Sequence, residues 1–137
     1  MPTTKSGVWT LEEVHDQIIK NEWSTYNVAN DPGLMFIWGR NTAGELGQLD
    51  LVHRSSPVQL PGVAWTQVAA GDAWNVALKS AGTMFGWGLN TGGQLGINDN
   101  SNKSSPVQIP GTTWCGVAAG SGADPHSLAL RTDGTLW

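Results

Sequence analysis

Cysteine is nearly absent: Cys115 is the only one in 137 residues, which excludes an internal disulfide framework. Charge is sparse as well. Only 13% of residues are Asp, Glu, Lys or Arg, and seven basic residues stand against eleven acidic ones, for a net charge of -4. This lack of positive charge argues against a general nucleic-acid binder, whose footprint is a basic patch. Long hydrophobic runs are missing too. No stretch approaches the roughly 18 apolar residues of a membrane span, so membrane insertion is not expected. The opening Met1-Pro2-Thr3-Thr4-Lys5-Ser6 contains no apolar signal core, and no secretory signal is expected. The length suits about one modest domain. What the chain has in excess is glycine, 18 residues, and tryptophan, 8 residues. With so little charge, that pairing predicts tight turns between short strands with aromatic packing.

An internal repeat accounts for the excess. Trp38-Gly39-Arg40-Asn41-Thr42 recurs forty-nine residues on as Trp87-Gly88-Leu89-Asn90-Thr91. At the same offset Gly44-Glu45-Leu46-Gly47 matches Gly93-Gln94-Leu95-Gly96, and Ser55-Ser56-Pro57-Val58-Gln59 matches Ser104-Ser105-Pro106-Val107-Gln108. Trp65 matches Trp114, and Val68-Ala69-Ala70-Gly71 matches Val117-Ala118-Ala119-Gly120. The insertion Ala123-Asp124-Pro125 then shifts the register. Trp74-Asn75-Val76-Ala77-Leu78-Lys79 therefore aligns with His126-Ser127-Leu128-Ala129-Leu130-Arg131. Leu136-Trp137 matches Met84-Phe85 and opens a third copy.

A Gly-rich period near fifty residues without helical periodicity points to a propeller blade. Met35 to Gly39, Pro57 to Leu60, Trp65 to Ala70 and Trp74 to Lys79 read as four short strands. Asn41 to Gly47 reads as a loop, and Ser80-Ala81-Gly82 and Thr132-Asp133-Gly134 as hairpin turns. The recurring tryptophans are expected to fill the space between adjacent sheets. The ordered motifs W-G-x-N-x-x-G-x-L-G, S-S-P-V-Q, V-A-A-G and H-S-L-A-L-x-x-D-G-T-L-W resemble the regulator of chromosome condensation repeat. That resemblance covers about residues 35 to 137. It implies a β-propeller of about seven blades whose sequence repeats are offset from the structural blades. Trp74 departs from it, standing where the second copy has His126.

The expected fold is therefore all-β, a partial β-propeller with repeats at 35–83 and 84–135 and the first strand of a third from 136. Two copies cannot close a ring of four or more blades. Either a longer protein or several chains together would complete it, and a truncated chain is the favoured expectation.

Residues 1–34 do not repeat. Thr10 and Glu13 stand at capping-box spacing, and Trp9 and Val14 at that of a hydrophobic staple. One short helix is predicted over Leu11 to Asn21, with Leu11, Val14, Ile18 and Ile19 on its apolar face, followed by an extended link. A lone short helix is marginal in water. Trp9, Leu11, Val14, Ile18 and Trp23 are therefore the candidate anchors, docking on the first blade or on another subunit. The run Ser6-Gly7-Val8-Trp9-Thr10-Leu11-Glu12-Glu13-Val14 with Glu22-Trp23 also resembles a short segment in virion and tail-associated proteins of marine tailed phages. An ordinary helix packed on the propeller explains it nearly as well.

Catalytic chemistry is not indicated. His15, His53 and His126 fall in no zinc-ligand spacing. His126 occupies a repeat position and suits a structural role, while His53 reads as a surface residue. Cys115 aligns with Thr66 and reads as a half-buried strand residue with no accompanying base. The Asp99-Asn100-Ser101-Asn102 run lacks the spaced acids and closing Glu of a calcium loop. Gly92-Gly93-Gln94-Leu95-Gly96 lacks the Gly-Lys-Ser/Thr of a phosphate loop. No catalytic residue, cofactor or metal is expected.

Recognition is instead expected from loops on a rigid scaffold. The candidates are Asp50, His53 and Arg54 in one loop, Asn98, Asp99, Asn102 and Lys103 in the other, and Asp124 in the insertion. The leading functional expectation is a non-enzymatic structural or display protein of a phage virion, a tail fibre or capsid appendage. It would be anchored through its N-terminus to neighbouring subunits or to itself, and would present the propeller to a host receptor. The alternatives are a cellular, cytoplasmic propeller scaffold or regulator acting on a small GTPase or another protein, and a glycan-binding module.

Overall fold

The computed structural model describes residues 33–122 and 125–137. The expected helix, its anchors Trp9, Leu11, Val14, Ile18 and Trp23, and Asp124 of the insertion lie outside the described residues. Among the described residues every element is a strand: β1 (Phe36–Gly39), β2 (Arg54–Gln59), β3 (Trp65–Ala70), β4 (Trp74–Lys79), β5 (Met84–Gly88), β6 (Lys103–Ile109), β7 (Trp114–Ala119) and β8 (Ser127–Arg131). All pairings are antiparallel. They form a two-stranded sheet β1-β2, a four-stranded sheet β3-β4-β5-β6 and a two-stranded sheet β7-β8.

The four-stranded sheet takes β3 and β4 from the first sequence copy and β5 and β6 from the second. Sequence repeat and structural blade are thus out of phase by half a blade. The flanking sheets are complementary halves, since β1-β2 corresponds to β5-β6 and β7-β8 to β3-β4. Leu136 forms an antiparallel bridge with Leu130, as Met84 pairs with Leu78. The third copy therefore begins in register.

Local chemistry explains these elements. Pro57 and Pro106 lack an N–H, and both lie in outermost strands, where no further ladder bond is needed. The expected strand start at Pro57 is too late. β2 begins at Arg54, which pairs with Gly39 across an irregularity in the ladder, and β6 repeats this with Lys103 and Gly88. The Trp-Gly dipeptide serves that irregularity. Gly88 has φ 99°, and a Cβ there would lie 2.4 Å from the Ala73 carbonyl oxygen. Gly71 answers a different need. A Cβ on it would lie 2.5 Å from the Trp74 ring, and one on Gly120 would lie 2.5 Å from the His126 ring. Each glycine is the floor on which an aromatic ring lies flat. That gives His126 the structural part expected of it and explains how Trp74 can replace it.

The central strand β4 is buried on both faces. Trp65, Ala77 and Trp87 pack with Leu60 toward the first half-blade. Val76, Leu78, Met84 and Ile109 pack with Trp114 and Ala129 toward the last. A buried tryptophan withdraws roughly 150–250 Å² from water, on the order of 4–6 kcal/mol before entropy. That exceeds the roughly 1 kcal/mol of a typical hydrogen bond, so aromatic burial between sheets holds the blades together. Polar contacts set their register. Trp87 Nε1 and Asn75 Nδ2 both donate to the Glu45 carbonyl at 2.8 Å, and Trp74 Nε1 donates to Ser127 Oγ at 3.1 Å.

Candidate interaction surface

Each W-G-x-N motif delivers its asparagine into the floor of a loop. Asn41 is fully buried. Its Nδ2 donates to the Asp50 carbonyl at 2.9 Å, to Asp50 Oδ1 at 3.1 Å and to the Val52 carbonyl at 3.3 Å. Its Oδ1 accepts the Leu46 N–H at 2.9 Å, and its own N–H donates to His53 Nδ1 at 2.9 Å. Asn90 does the same in the second copy. It donates to the Asp99 carbonyl at 2.7 Å and to Asp99 Oδ1 at 3.1 Å, and it accepts the Leu95 N–H at 3.0 Å. Its N–H donates to Asn102 Oδ1 at 2.9 Å.

Ion pairs close both loops. Arg54 bonds Asp50 Oδ2, and Lys103 bonds Asp99 Oδ2 at 2.7 Å. The N–H donated by Val52, helped by Arg54, holds the Asp50 carboxyl below its ordinary range. The Lys103 ammonium, followed by the Ser101 N–H, lowers Asp99 to about 2.

The structure thus brings Asp50, His53 and Arg54 together in one loop and Asp99, Asn102 and Lys103 together in the other, with their polar groups turned onto their own loops. Asn98 is exposed at φ 60°. His53 is exposed yet caps the Asn41 N–H, so it is more than the plain surface residue expected.

What the first loop presents outward is apolar. Leu49, Leu51 and Val52 are 76%, 59% and 59% exposed. Sequence reasoning fixed on the charged and polar residues and passed over these three. The signal was available, since Asn98, Asn100 and Ser101 hold the same positions in the second copy. The loop is pinned beneath them, because the Leu49 N–H donates to the Ser104 carbonyl of β6 at 2.7 Å.

Cys115 was expected to be half-buried. It is exposed, and its thiol donates to the Leu130 carbonyl at 3.5 Å. Among the described residues no three His, Cys, Asp or Glu side chains gather as metal ligands. A pocket of about 570 Å³ opens between the four-stranded sheet and β7-β8, lined among others by Met84, Leu95, Ile109, Trp114 and Trp137.

The model of the regulator of chromosome condensation (RCC1) repeat matches residues 32–78 and 81–130. The chain belongs to the RCC1 repeat family. A second model of the same repeat matches residues 65–94, which span the half-repeat offset seen in the sheet. Solved structures share the fold. Human WBSCR16 is 24% identical with a TM-score of 0.65, over 77% of this chain and 28% of that one. Yeast RCC1 (Prp20) bound to Kap60 is 25% identical with a TM-score of 0.60, over 76% and 25%. Prp20p of Saccharomyces cerevisiae, described with its binding properties to Gsp1p and histones, is 26% identical with a TM-score of 0.60, over 76% and 26%. The chain spans about a quarter of the length of these structures. No curated protein matches it.

Proposed function

We propose that this chain is a non-enzymatic protein-interaction scaffold, part of an RCC1-type propeller, whose contact patch is Leu49, Leu51 and Val52. The observation that carries the reading is the conjunction of three outward apolar side chains with a loop braced from below by Asn41. A rigid, desolvatable patch loses little entropy on binding, and loops on rigid scaffolds are the usual place for recognition. RCC1-type relatives support a protein as the partner class, since yeast Prp20 was solved bound to Kap60. The net charge of -4 disfavours bare nucleic acid. A virion role stands on the N-terminal segment, outside the described residues, and none of the matches above supports it.

The test is photo-crosslinking from position 51, with the captured proteins identified by mass spectrometry. The double variant Leu49→Asp, Val52→Asp should keep its circular dichroism and lose specific adducts at least tenfold. Equal capture by the variant would remove the patch from the reading. A nucleotide-release assay on small GTPases should show no acceleration, and acceleration would overturn the non-enzymatic part.

A further inference from the structure

The first loop is latched by a group that can change its charge. The Asn41 N–H donates to His53 Nδ1 at 2.9 Å. A backbone N–H can only donate, so the ring nitrogen facing it is the unprotonated one, and the proton of the neutral ring sits on Nε2. An imidazolium carries a proton on both nitrogens and cannot make this bond. In the second copy the acceptor is Asn102 Oδ1, at the same 2.9 Å from the Asn90 N–H. An amide oxygen accepts whatever the protonation state of the histidines.

We propose that His53 makes the first loop a proton-sensitive latch: protonation of its ring frees the Asn41 N–H and loosens residues 49–53, while the second loop stays closed.

The geometry gives the latch its leverage. Asn41 is fully buried, so its N–H has no water to turn to when the imidazole leaves, and a buried donor without an acceptor is costly. His53 itself is exposed, so a protonated ring gains hydration by swinging outward. Asn41 also holds the Asp50 and Val52 carbonyls, and any shift that relieves its N–H disturbs the support of the whole loop. Leu49, at φ 64°, holds a backbone that leucine resists, which adds to the pull toward opening. The bond needs the neutral ring. Its stabilisation is therefore present above the imidazole range and is lost as the pH falls through it.

The charged groups on the surrounding elements do not duplicate or cancel the switch. Asp50 is paired with Arg54 on the same loop, Arg40 with Glu45 at 3.5 Å after β1, and Lys103 of β6 with Asp99. The Asp50 carboxyl is held below its ordinary range by the Val52 N–H and Arg54. It therefore keeps its charge between about pH 5 and 8, where histidine is the side chain that ordinarily titrates. Its oxygens are already engaged, Oδ1 by Asn41 and Val52 and Oδ2 by Arg54, and the guanidinium offsets its pull on a protonated ring. His126, the other described histidine, lies against Gly120. The inference goes beyond the scaffold reading and does not depend on it, because the latch operates within the chain whether or not a partner meets Leu49, Leu51 and Val52.

Hydrogen exchange of the 137-residue chain, followed by NMR and expressed as protection relative to an unstructured peptide at the same pH, tests the latch. The Asn41 amide should lose protection by about tenfold or more between about pH 7.5 and 5.5, while the Asn90 amide keeps its own. His53→Asn installs the acceptor of the second copy and should hold the Asn41 protection constant over that range. Asn102→His should transfer the response to Asn90. A loss shared equally by both amides of the parent, a His53→Asn chain whose Asn41 still responds, or an Asn102→His chain whose Asn90 does not, would each overturn the proposal.

Discussion

Leu49 illustrates how a repeat judges its own residues. It holds φ 64°, the left-handed region, and its counterpart Asn98 holds φ 60°. Asparagine tolerates that backbone far better than leucine, whose Cβ crowds the following carbonyl. Since the Leu49 side chain is exposed, nothing in the core repays the strain. Leu49→Asn should raise stability by about 0.5–1 kcal/mol, read as a higher urea midpoint at unchanged slope. On the proposed scaffold reading, the same change should also weaken crosslinking from position 51. A lower midpoint would show that the leucine contributes to the fold itself.

At the scale of elements, the two loops that follow the W-G-x-N motifs are a single device built twice. The positions of Asp50, Val52, His53 and Arg54 are refilled by Asp99, Ser101, Asn102 and Lys103, and the buried asparagine keeps its bonds to the Asp and to the His/Asn position, though not the one to the Val52 carbonyl. Comparison of residue identities hides this, because histidine Nδ1 and asparagine Oδ1 accept the same N–H. Sequence reading accordingly reached for the charged and polar residues of both loops as contacts. The charges close the loops, and only tertiary geometry reveals the direction in which they point.

The titration of Asp99 follows from that closure. Its pKa is lowered from 3.8 to about 2, so its carboxylate favours the folded loop above the ordinary value. That contribution fades as the pH falls through about 2. Carbon-13 carboxyl shifts should give a midpoint near 2 for Asp99. Lys103→Met should move it upward toward 3.8, with the Ser101 bonds retaining part of the depression. An unmoved midpoint would mean that Ser101 alone sets the value.

For the molecule as a whole, cohesion passes from blade to blade through Trp87. Its ring fills the joint below Leu60, and its N–H meets the Glu45 carbonyl that also receives Asn75. Trp87→Phe keeps much of the apolar area but removes the donor and leaves a void. The expected cost is about 2 kcal/mol, measured by urea unfolding. The equivalent change Trp38→Phe should cost far less in the isolated chain, because Trp38 is exposed there. Equal losses at both positions would show that the internal joint is no stronger than the open end.

The sequence alone determined the repeat, the turns and the strands apart from the start of β2, because each rests on local rules. A period near fifty and Gly at turn positions need no distant partner to be read. It also located every tryptophan that fills a joint among the described residues, since Trp65, Trp74, Trp87 and Trp114 recur or substitute in phase. What only the tertiary structure decided is which chemically similar positions are covered. Trp38 and Trp87 share one motif, and a neighbouring sheet covers one and leaves the other open. Likewise Asp50 and Leu49 are adjacent in the chain, yet one braces the loop while the other faces outward. Burial is a property of what lies opposite a residue in space, and no local pattern carries it.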